Sequence, residues 1–348
     1  MKPKRLERIC APPMLENPQL LVPIRVGHAE QSPRPVSELD AIYVPFKRRT
    51  NYVKALLRQL TSFAGIVYLM PTDGHDSRLL INLARGKIQT LDAKDASFFK
   101  FYARLRTSNH KYTINCVSQW DLPMKRNFAM KHALLMGYKK ILLVDDDIRS
   151  IKKQHLVGGA KCLDRYTLAG RFVEDFIDTS ILGHLERAAG DRVYPFLSGS
   201  FLFVRPQDAK GFFPCLYNED WLFMLPHVRE RSICSFGSIG QVKFDPFHDE
   251  ARSVFQEFGD LLVDGLYSLL ANNQYSDRYE SGIWSSIISQ RQEFLRSLGR
   301  RINDARITRI VKKMLQFNDD ITAEDCCKFI HNWEADLKSW KSYIGAFK

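Results

Sequence analysis

Three adjacent carboxylates, Asp145, Asp146 and Asp147, directly follow the apolar run ILLV in the stretch KKILLVDDDIRS. Such charges repel one another, and each costs several kcal/mol to desolvate unless a positive charge compensates for it. A divalent cation is the simplest compensation, because Mg²⁺ and Mn²⁺ prefer oxygen ligands and leave positions for phosphate oxygens and water. An isolated acidic cluster is more often a solvated turn. Its place at the end of a buried strand favours a metal site.

A second acidic pair, Glu219 and Asp220, lies among aromatic residues in YNEDWLFM. A general base must reach the hydroxyl group that it deprotonates and must have a suitable pKa. The aromatic neighbours Tyr217, Trp221 and Phe223 could raise that pKa by partial desolvation. The alternative is an acidic pair that stabilises the start of a helix.

Two basic residues, Lys125 and Arg126, lie near the start of a predicted helix in LPMKRNFAMKHALLMGYKK, which has Pro123 near its beginning and Gly137 near its end. Basic side chains at a helix N-terminus stabilise negative charge on a bound group. The helix and the aspartate-bearing strand are therefore expected to face the same anionic ligand.

The elements that must position these residues alternate between strand and helix. AIYVPF, GIVYLMPTDG, YTINCVSQ and KILLV are predicted strands, RTNYVKALLRQLTSF is a predicted helix, and YPFLSGSFLFVRP resembles a hairpin. This alternation predicts a mostly parallel sheet covered by helices on both faces. Ligands of such sheets bind outside the carboxyl ends of the strands, which places Pro45–Arg49, Asp73 and Asp145–Asp147 along one rim.

The chain of 348 residues, 45% of them hydrophobic, is long enough for one large domain or for a domain with an appendage. Residues 1–38 are rich in proline and charge and are predicted to form an arm. Residues 39–250 carry the α/β pattern, and residues 251–348 turn helical. The segment 291–313 is strongly basic, which is typical of a solvated helix face; its alternative role is a dock for an anionic acceptor or for a membrane surface.

The net charge of +12 favours an anionic ligand or partner, although nucleotides, nucleic acids and acidic membranes all qualify. The sequence has no apolar stretch of about 18 residues, and its N-terminus lacks the apolar core of a signal peptide. The seven cysteines are scattered, without the paired spacing of a zinc or redox site. These features predict a soluble, cytoplasmic protein without a transmembrane segment.

The ordered set VPFKRRTNYVKALLRQL, YLMPTDG, MKRNFAMKHALLMGYKKILLVDDDI, LSGSFLFVRP and YNEDWLFM resembles the GT-A-fold glycosyltransferases of the family 2 type, over about residues 40–250. The resemblance implies a Rossmann-like GT-A domain with an α-helical C-terminal extension. It also implies a nucleotide-sugar donor held by manganese or magnesium.

The resemblance implies roles for individual residues on the donor side. Those expected near the nucleotide are Pro45, Lys47, Arg49, Asp73, Lys125, Arg126, Asn127, Asp145 and Asp146. The three aspartates match the DXD motif of the family, with Asp145 facing the nucleotide, Asp147 the metal and Asp146 undecided between them. Asp145 is a second candidate metal ligand, and His248 matches a late histidine that completes the metal site in many GT-A enzymes. Asp245 and Asp249 compete with that histidine, which is nearly as well explained as an ordinary surface or core residue.

On the acceptor side, Asp220 matches the family's xED base, which removes a proton from the acceptor hydroxyl during inverting sugar transfer. Ser198 and Gly199 belong to a loop expected to flank the acceptor, where a missing side chain lets substrate approach the backbone. Glu219 and Trp221 complete the expected acceptor site, and the indole of Trp221 suits stacking on a sugar ring.

The leading hypothesis is therefore a metal-dependent glycosyltransferase that uses a UDP- or GDP-sugar and a hydroxyl acceptor. A nucleotidyltransferase on a related α/β sheet is the first alternative, although VPFKRRTN lacks the glycine-rich phosphate loop of that class. A nucleic-acid-binding protein is the second, without a motif to support it. A nucleic acid could also be the acceptor. The sequence leaves open the sugar, the nucleotide, the acceptor and whether the reaction inverts or retains the anomeric centre.

Overall fold

Strands and helices alternate through most of the chain in the computed structural model, which describes residues 22–23, 39–47, 50–61, 65–72, 87–92, 95–113, 121–174, 179–193 and 197–347. The strands are β1 (Val22–Pro23), β2 (Ala41–Phe46), β3 (Ile66–Pro71), β4 (Ile88–Thr90), β5 (Ile141–Val144), β6 (Ile148–Arg149), β7 (Leu168–Val173), β8 (Phe201–Val204) and β9 (Ile233–Gln241). The helices are α1 (Thr50–Thr61), α2 (Ala96–Ala103), α3 (Asp121–Leu135), α4 (Lys153–Cys162), α5 (Ile181–Ala188), α6 (Glu219–Arg229), α7 (Glu250–Phe255), α8 (Glu257–Ala271), α9 (Ser281–Arg301), α10 (Ala305–Asp319) and α11 (Ala323–Gly345).

The strands pair in the order β1-β9-β7-β8-β5-β2-β3-β4, and β6 pairs separately with β9. Along this order β8 runs antiparallel to both of its neighbours, β5 and β7, whereas the remaining strands of the path run parallel to one another. The antiparallel direction of β8 decides which segments of the chain meet at one rim of the sheet. The first residue of β8, Phe201, lies opposite Val144, the last residue of β5. The segment before β8 therefore reaches the same rim as the segment after β5.

Both faces of the sheet are buried, as the apolar strands predict. In β2, Ala41 and Tyr43 point into the core that α3, α6, α8 and α11 cover. Ile42 and Val44 point into the opposite core, which contains residues of α1 and α4. This packing confirms the predicted fold class, a mixed α/β structure with a mostly parallel sheet flanked by helices and a helical C-terminal region.

Two local predictions extend over residues outside the described part of the chain. Of the predicted strand YTINCVSQ, Tyr112 and Thr113 lie in a turn, and residues 114–119 fall outside the described residues. Of the predicted hairpin in YPFLSGSFLFVRP, residues 194–196 fall outside the described residues, and the described part supplies strand β8, which pairs with β5 and β7. Among the described residues, no helix combines the length and the apolar character that a membrane span requires.

The C-terminal helices pack against the rest of the protein through a buried charged cluster as well as through apolar contacts. Arg291 of α9, expected on a solvated face, is 2% exposed and bonds Glu257 of α8 at 2.8 and 2.9 Å. It also bonds Asp264 at 2.8 Å, and Asn318 of α10 donates to Glu257 at 2.7 Å. The cluster around this guanidinium thus connects α8, α9 and α10. Burial raises the pKa of Asp264 to about 6.

We predict that Arg291→Met destabilises the protein by about 3–5 kcal/mol near pH 7, because removing the cation leaves buried carboxylates without compensation. The loss should shrink near pH 5, because the Asp264 carboxyl, whose pKa burial raises to about 6, takes up a proton there and becomes neutral. Urea unfolding at the two pH values measures both effects. Arg296→Met on the exposed side of the same helix is the matched control. Equal stability of R291M and R296M would contradict the assigned role.

Candidate active site

A cavity of about 700 Å³ opens at the rim where β2, β3 and β5 end and where β8 begins. Its volume lies within the range of about 300–1,000 Å³ typical of small-molecule sites. The cavity is lined by Pro45, Phe46, Lys47, Thr72, Asp121, Leu122, Lys125, Arg126, Asp145, Asp146, Asp147, Thr179, Ser198, Ser200, Tyr217, Asn218, Glu219, Asp220, Trp221, Gln241, Phe244, Asp249 and Arg252. Seven of these side chains are carboxylic acids and four are Lys or Arg, so the lining has a formal charge of −3. The net charge of the whole chain is +12.

Arg126 of α3 lies at the centre of the acidic lining, with its side chain only 3% exposed. Its Nη2 donates to both carboxylate oxygens of Asp145, at 2.9 and 3.1 Å, and its Nη1 donates to Glu219 at 3.0 Å. Burial opposes the charged form, but the carboxylates of Asp145 and Glu219 outweigh it and raise the pKa of this guanidinium. Arg126 therefore stays charged and connects the rim of β5 with the first turn of α6.

Glu219 and Asp220 differ in how the protein holds them. Asp220 is half-buried, and its two oxygens accept from the backbone N–H of Gly199 at 2.6 Å and of Trp221 at 2.9 Å. Burial raises the pKa of Asp220. Glu219 is 5% exposed, and burial, followed by the charge of Asp220, raises its pKa to about 8 against the opposing charge of Arg126. Burial thus raises the pKa of both adjacent acids, while only Asp220 is held by two backbone N–H groups.

Gly199 packs where no side chain fits. A Cβ atom added there would lie 2.8 Å from Nη1 of Arg126 and 2.9 Å from Cβ of Asp220. The neighbouring backbone joins the two sides of the cavity, because Asp145 N–H donates to the carbonyl of Ser200 at 2.9 Å. The glycine thus allows the SGS loop, the guanidinium and the base candidate to meet.

Asp146 and Asp147 each accept a hydrogen bond from a part of the chain that is distant in the sequence. The backbone N–H of Lys47 donates to Asp146 Oδ2 at 3.0 Å, and Gln241 at the end of β9 donates to Asp147 Oδ1 at 3.1 Å. Both aspartates are buried and line the cavity. Their hard oxygen donors suit Mg²⁺ or Mn²⁺, which take one or two protein carboxylates. The described part of the chain holds no group of three or more His, Cys, Asp or Glu side chains arranged to bind a metal by themselves.

A polar cluster of three residues, Thr72, Asp121 and Lys125, lies in the cavity near the end of β3. Only Lys125 was predicted from the sequence. Thr72, directly after β3, donates to Asp121 at 2.6 Å, and Lys125 contacts Thr72 at 2.8 Å and Asp121 at 2.6 Å. Burial lowers the pKa of Lys125 against the charge of Asp121. Asp121 and Thr72 were not predicted, although an acid four residues before Lys125 at a helix start was a usable signal.

The structure brings most of the predicted site residues to this cavity. Those that line it are Pro45, Lys47, Lys125, Arg126, Asp145, Asp146, Asp147, Ser198, Glu219, Asp220 and Trp221. Arg49 and Asp73 fall outside the described residues. Gly199 supports the lining from behind, through its contacts with Arg126 and Asp220.

Asn127 and His248 do not line the cavity. The amide of Asn127 is fully buried and bonds the backbone of Phe213 in both directions, at 2.7 and 2.9 Å. These two hydrogen bonds fix the chain that leads to α6. Asn127 therefore contributes to packing, where a nucleotide contact was expected. His248 is exposed, while its competitor Asp249 is part of the lining. Asp245, the other competitor, forms an ion pair with Arg306 at 2.8 Å.

Comparisons with known proteins give little. No family model matches the chain, and no curated protein matches it. A crystal structure of a protein assigned to the nucleotide-diphospho-sugar transferases, from Desulfovibrio desulfuricans G20, is similar over 75% of this chain and 98% of that chain, with 10% sequence identity and a TM-score of 0.37. A similarity this distant does not bear on the function.

The raised pKa of Glu219 has a consequence for stability. Its ordinary value is 4.5 and its folded value is about 8, so the folded protein keeps a proton that the unfolded chain releases. The stabilisation that the neutral Glu219 side chain contributes is fully present below the pKa of the unfolded state. It is lost as the pH rises through the pKa of the folded state. We therefore predict that Glu219→Gln gains stability relative to the wild type between about pH 5 and pH 8, by up to about 1.4 kcal/mol per pH unit.

Urea unfolding of the wild type and of E219Q across this pH range measures the difference. Glu230→Gln, which changes an exposed glutamate just beyond α6, is the control and should give a nearly constant difference. A stability difference between E219Q and the wild type that does not change with pH would show that Glu219 is ionised in the folded protein.

Proposed function

We propose that the protein is a metal-dependent glycosyltransferase of the GT-A type, which moves a sugar from a nucleotide-sugar donor to an acceptor hydroxyl group. The observation that carries the proposal is the position of Arg126. This buried cation holds Asp145, at the rim of β5, and Glu219, next to Asp220, in one cavity. Donor-binding carboxylates and a base candidate thereby face the same space.

The order of the strands supports a direction for the donor. Neighbouring strands lie about 4.8 Å apart, so β8, β5, β2 and β3 span about 14 Å along the rim. This span is comparable to an extended nucleotide-sugar. The transferred sugar would lie at the β8 end beside Asp220, the diphosphate at β5, and the nucleoside at β2 and β3 beside Lys47 and Thr72.

A metal ion fits the charges at the β5 position. The cavity lining is already acidic, so a diphosphate entering it needs additional positive charge. Asp146 and Asp147 are the carboxylates that would hold Mn²⁺ or Mg²⁺, because both oxygens of Asp145 are engaged by Arg126. When bound, the metal would supply Lewis-acid stabilisation of the leaving diphosphate. His248 would have to approach from its exposed position to take part.

Asp220 is proposed as the general base. As the acceptor oxygen bonds to the anomeric carbon, its proton passes to Asp220, and the bond from that carbon to the diphosphate breaks, with the electron pair leaving on the diphosphate. Attack opposite the leaving group inverts the anomeric centre. The N–H groups of Gly199 and Trp221 fix the carboxylate, and burial brings its pKa closer to neutral, which suits a base.

Lys125, Asp121 and Thr72 are proposed to contact the nucleoside. Their cluster places an ammonium donor beside a carboxylate acceptor, and Lys125 is 3% exposed. Adjacent donor and acceptor groups of this kind complement the polar edge of a base or a ribose.

A panel of UDP- and GDP-sugars with Mn²⁺ or Mg²⁺ tests the function, with release of nucleoside diphosphate as the measurement and chelation by EDTA as the test of metal dependence. The proposal predicts turnover with at least one donor and its loss with EDTA. Absence of both nucleotide binding and turnover across the panel would refute it. Pyrophosphate release from a nucleoside triphosphate would favour nucleotidyl transfer.

We predict that Asp220→Asn lowers the rate of sugar transfer by about 10²–10⁴-fold, the range typical of a lost general base. Isothermal titration with nucleoside diphosphate and Mn²⁺ should give nearly unchanged affinity, because the substitution lies at the acceptor end. Asp208→Asn, at an ion pair with Arg205 outside the cavity lining, is the control. An active D220N enzyme would exclude the proposed base.

Lys125→Met should weaken nucleoside diphosphate binding by about 10- to 100-fold, the loss expected for one hydrogen bond from a charged group. Binding of inorganic pyrophosphate with Mn²⁺ should change little, because pyrophosphate lacks the nucleoside. Lys153→Met on the exposed side of α4 is the control. Equal weakening for both ligands would place Lys125 at the diphosphate instead.

A further inference from the structure

The turn that leads into α6 has an unusual construction. Asn218 precedes Glu219 and Asp220 and has left-handed backbone angles, φ 62° and ψ 33°. An asparagine at this place usually caps the helix by accepting from a backbone N–H. Here its side chain makes no capping bond, and its Nδ2 donates to Asp260 of α8 at 2.6 Å. The side chain of Asn218 thus bonds a helix that is distant in the sequence.

Asp260 is fully buried and bonds in two directions. Besides Asn218, it accepts from the backbone N–H of Leu182 in α5 at 3.2 Å. The guanidinium of Arg291 lies 3.6 Å from the same carboxylate oxygen. Asp260 therefore holds the turn before α6 at a fixed distance from two elements that do not otherwise belong to the cavity.

Two further contacts from α8 flank the same turn. A Cβ atom added to Gly259 would lie 2.3 Å from the carbonyl oxygen of Tyr217, so α8 and the backbone before Asn218 are in close contact. The hydroxyl of Tyr267 donates to the carbonyl of Trp221 at 2.8 Å. Helix α8 thus contacts residues 217, 218 and 221, which bracket Glu219 and Asp220 on both sides.

We infer that α8 sets the position of the Asp220 carboxylate and that Asp260 is a positioning residue for sugar transfer, acting through Asn218. The inference rests on the proposed function, because it takes Asp220 as the base. It assigns the helical C-terminal region a part in the reaction although the described cavity lining ends at Arg252. A shift of about 1 Å at a catalytic group can cost about 100-fold in rate.

The test exchanges the side chains of Asn218 and Asp260. Asn218→Asp alone places two carboxylates face to face, and Asp260→Asn alone turns an amide donor toward either Leu182 or Asn218. In the double variant N218D/D260N, the new amide accepts from Leu182 and donates to the new carboxylate, so the contact is restored with the same charge. Asn218→Gly removes the side chain but keeps the left-handed backbone, which glycine adopts freely.

The measurements are kcat for transfer at saturating donor, the Kd of nucleoside diphosphate with Mn²⁺, and the Tm. We expect N218D to lower kcat by about 30- to 100-fold and N218G by about 10-fold or more, with Kd changed less than about threefold. N218D/D260N should recover at least about tenfold of the kcat that N218D loses. This rescue separates positioning from a general loss of stability.

Asn273 supplies the matched control, because it is exposed, has φ 57° and follows α8 without contacting Asp260. N273D and N273G should leave kcat unchanged. An active wild type whose N218D and N218G variants keep kcat within about twofold would overturn the inference, as would a double variant no faster than N218D. A wild type that transfers no sugar from any donor would instead overturn the proposed function, and this inference with it.

Discussion

The arrangement of the cavity depends on one buried cation. Arg126 has three carboxylic acids around it, Asp145, Glu219 and Asp220, and a single guanidinium cannot neutralise three negative charges at close range. Burial, followed by this excess of negative charge, raises the pKa of Glu219, so that this carboxyl keeps a proton near neutral pH. Asp220 stays the more exposed of the pair and accepts two backbone N–H bonds. The base candidate and its protonated neighbour are therefore consequences of the same electrostatic constraint.

The antiparallel direction of β8 brings the residues of this charged cluster together. Were every strand parallel, the loop before β8 would lie at the opposite edge of the sheet, far from Asp145. Because β8 is antiparallel, Gly199 arrives at the rim and its N–H reaches Asp220. The absence of a side chain at Gly199 then allows Arg126 to pass behind it. Topology and one small residue together bring β5, α3 and α6 into contact.

The parts of the candidate site that are local in the chain are recognisable from the sequence. The aspartates after ILLV and the pair in YNEDW are recognisable because strand burial and acidic residues occur side by side. Thr72 and Asp121 are not recognisable in this way, because their contacts with Lys125 join two separate parts of the chain, the end of β3 and the start of α3. The sequence also does not reveal the partners of Asn127 and Arg291, because Phe213 is 86 residues from Asn127 and the carboxylates around Arg291 come from another helix. Pattern reveals which residues are charged or buried, but a long-range partner decides whether a polar side chain serves the ligand or the core.

The whole molecule has a net positive charge, whereas the cavity lining has a net negative charge. The long-range attraction of an anion and its binding in the cavity therefore have different causes. A net charge of +12 attracts anions, such as the proposed donor, toward the surface over a distance limited by salt screening, about 8 Å at physiological ionic strength. At the rim the donor then meets a lining with a formal charge of −3, where the surface charge no longer helps. Under the proposed function, affinity at that point would come from a cation bound between the donor and the carboxylates of Asp146 and Asp147. Added salt should consequently slow the arrival of the donor more than it weakens the metal-bound complex, because the buried contacts are screened much less than the surface charges.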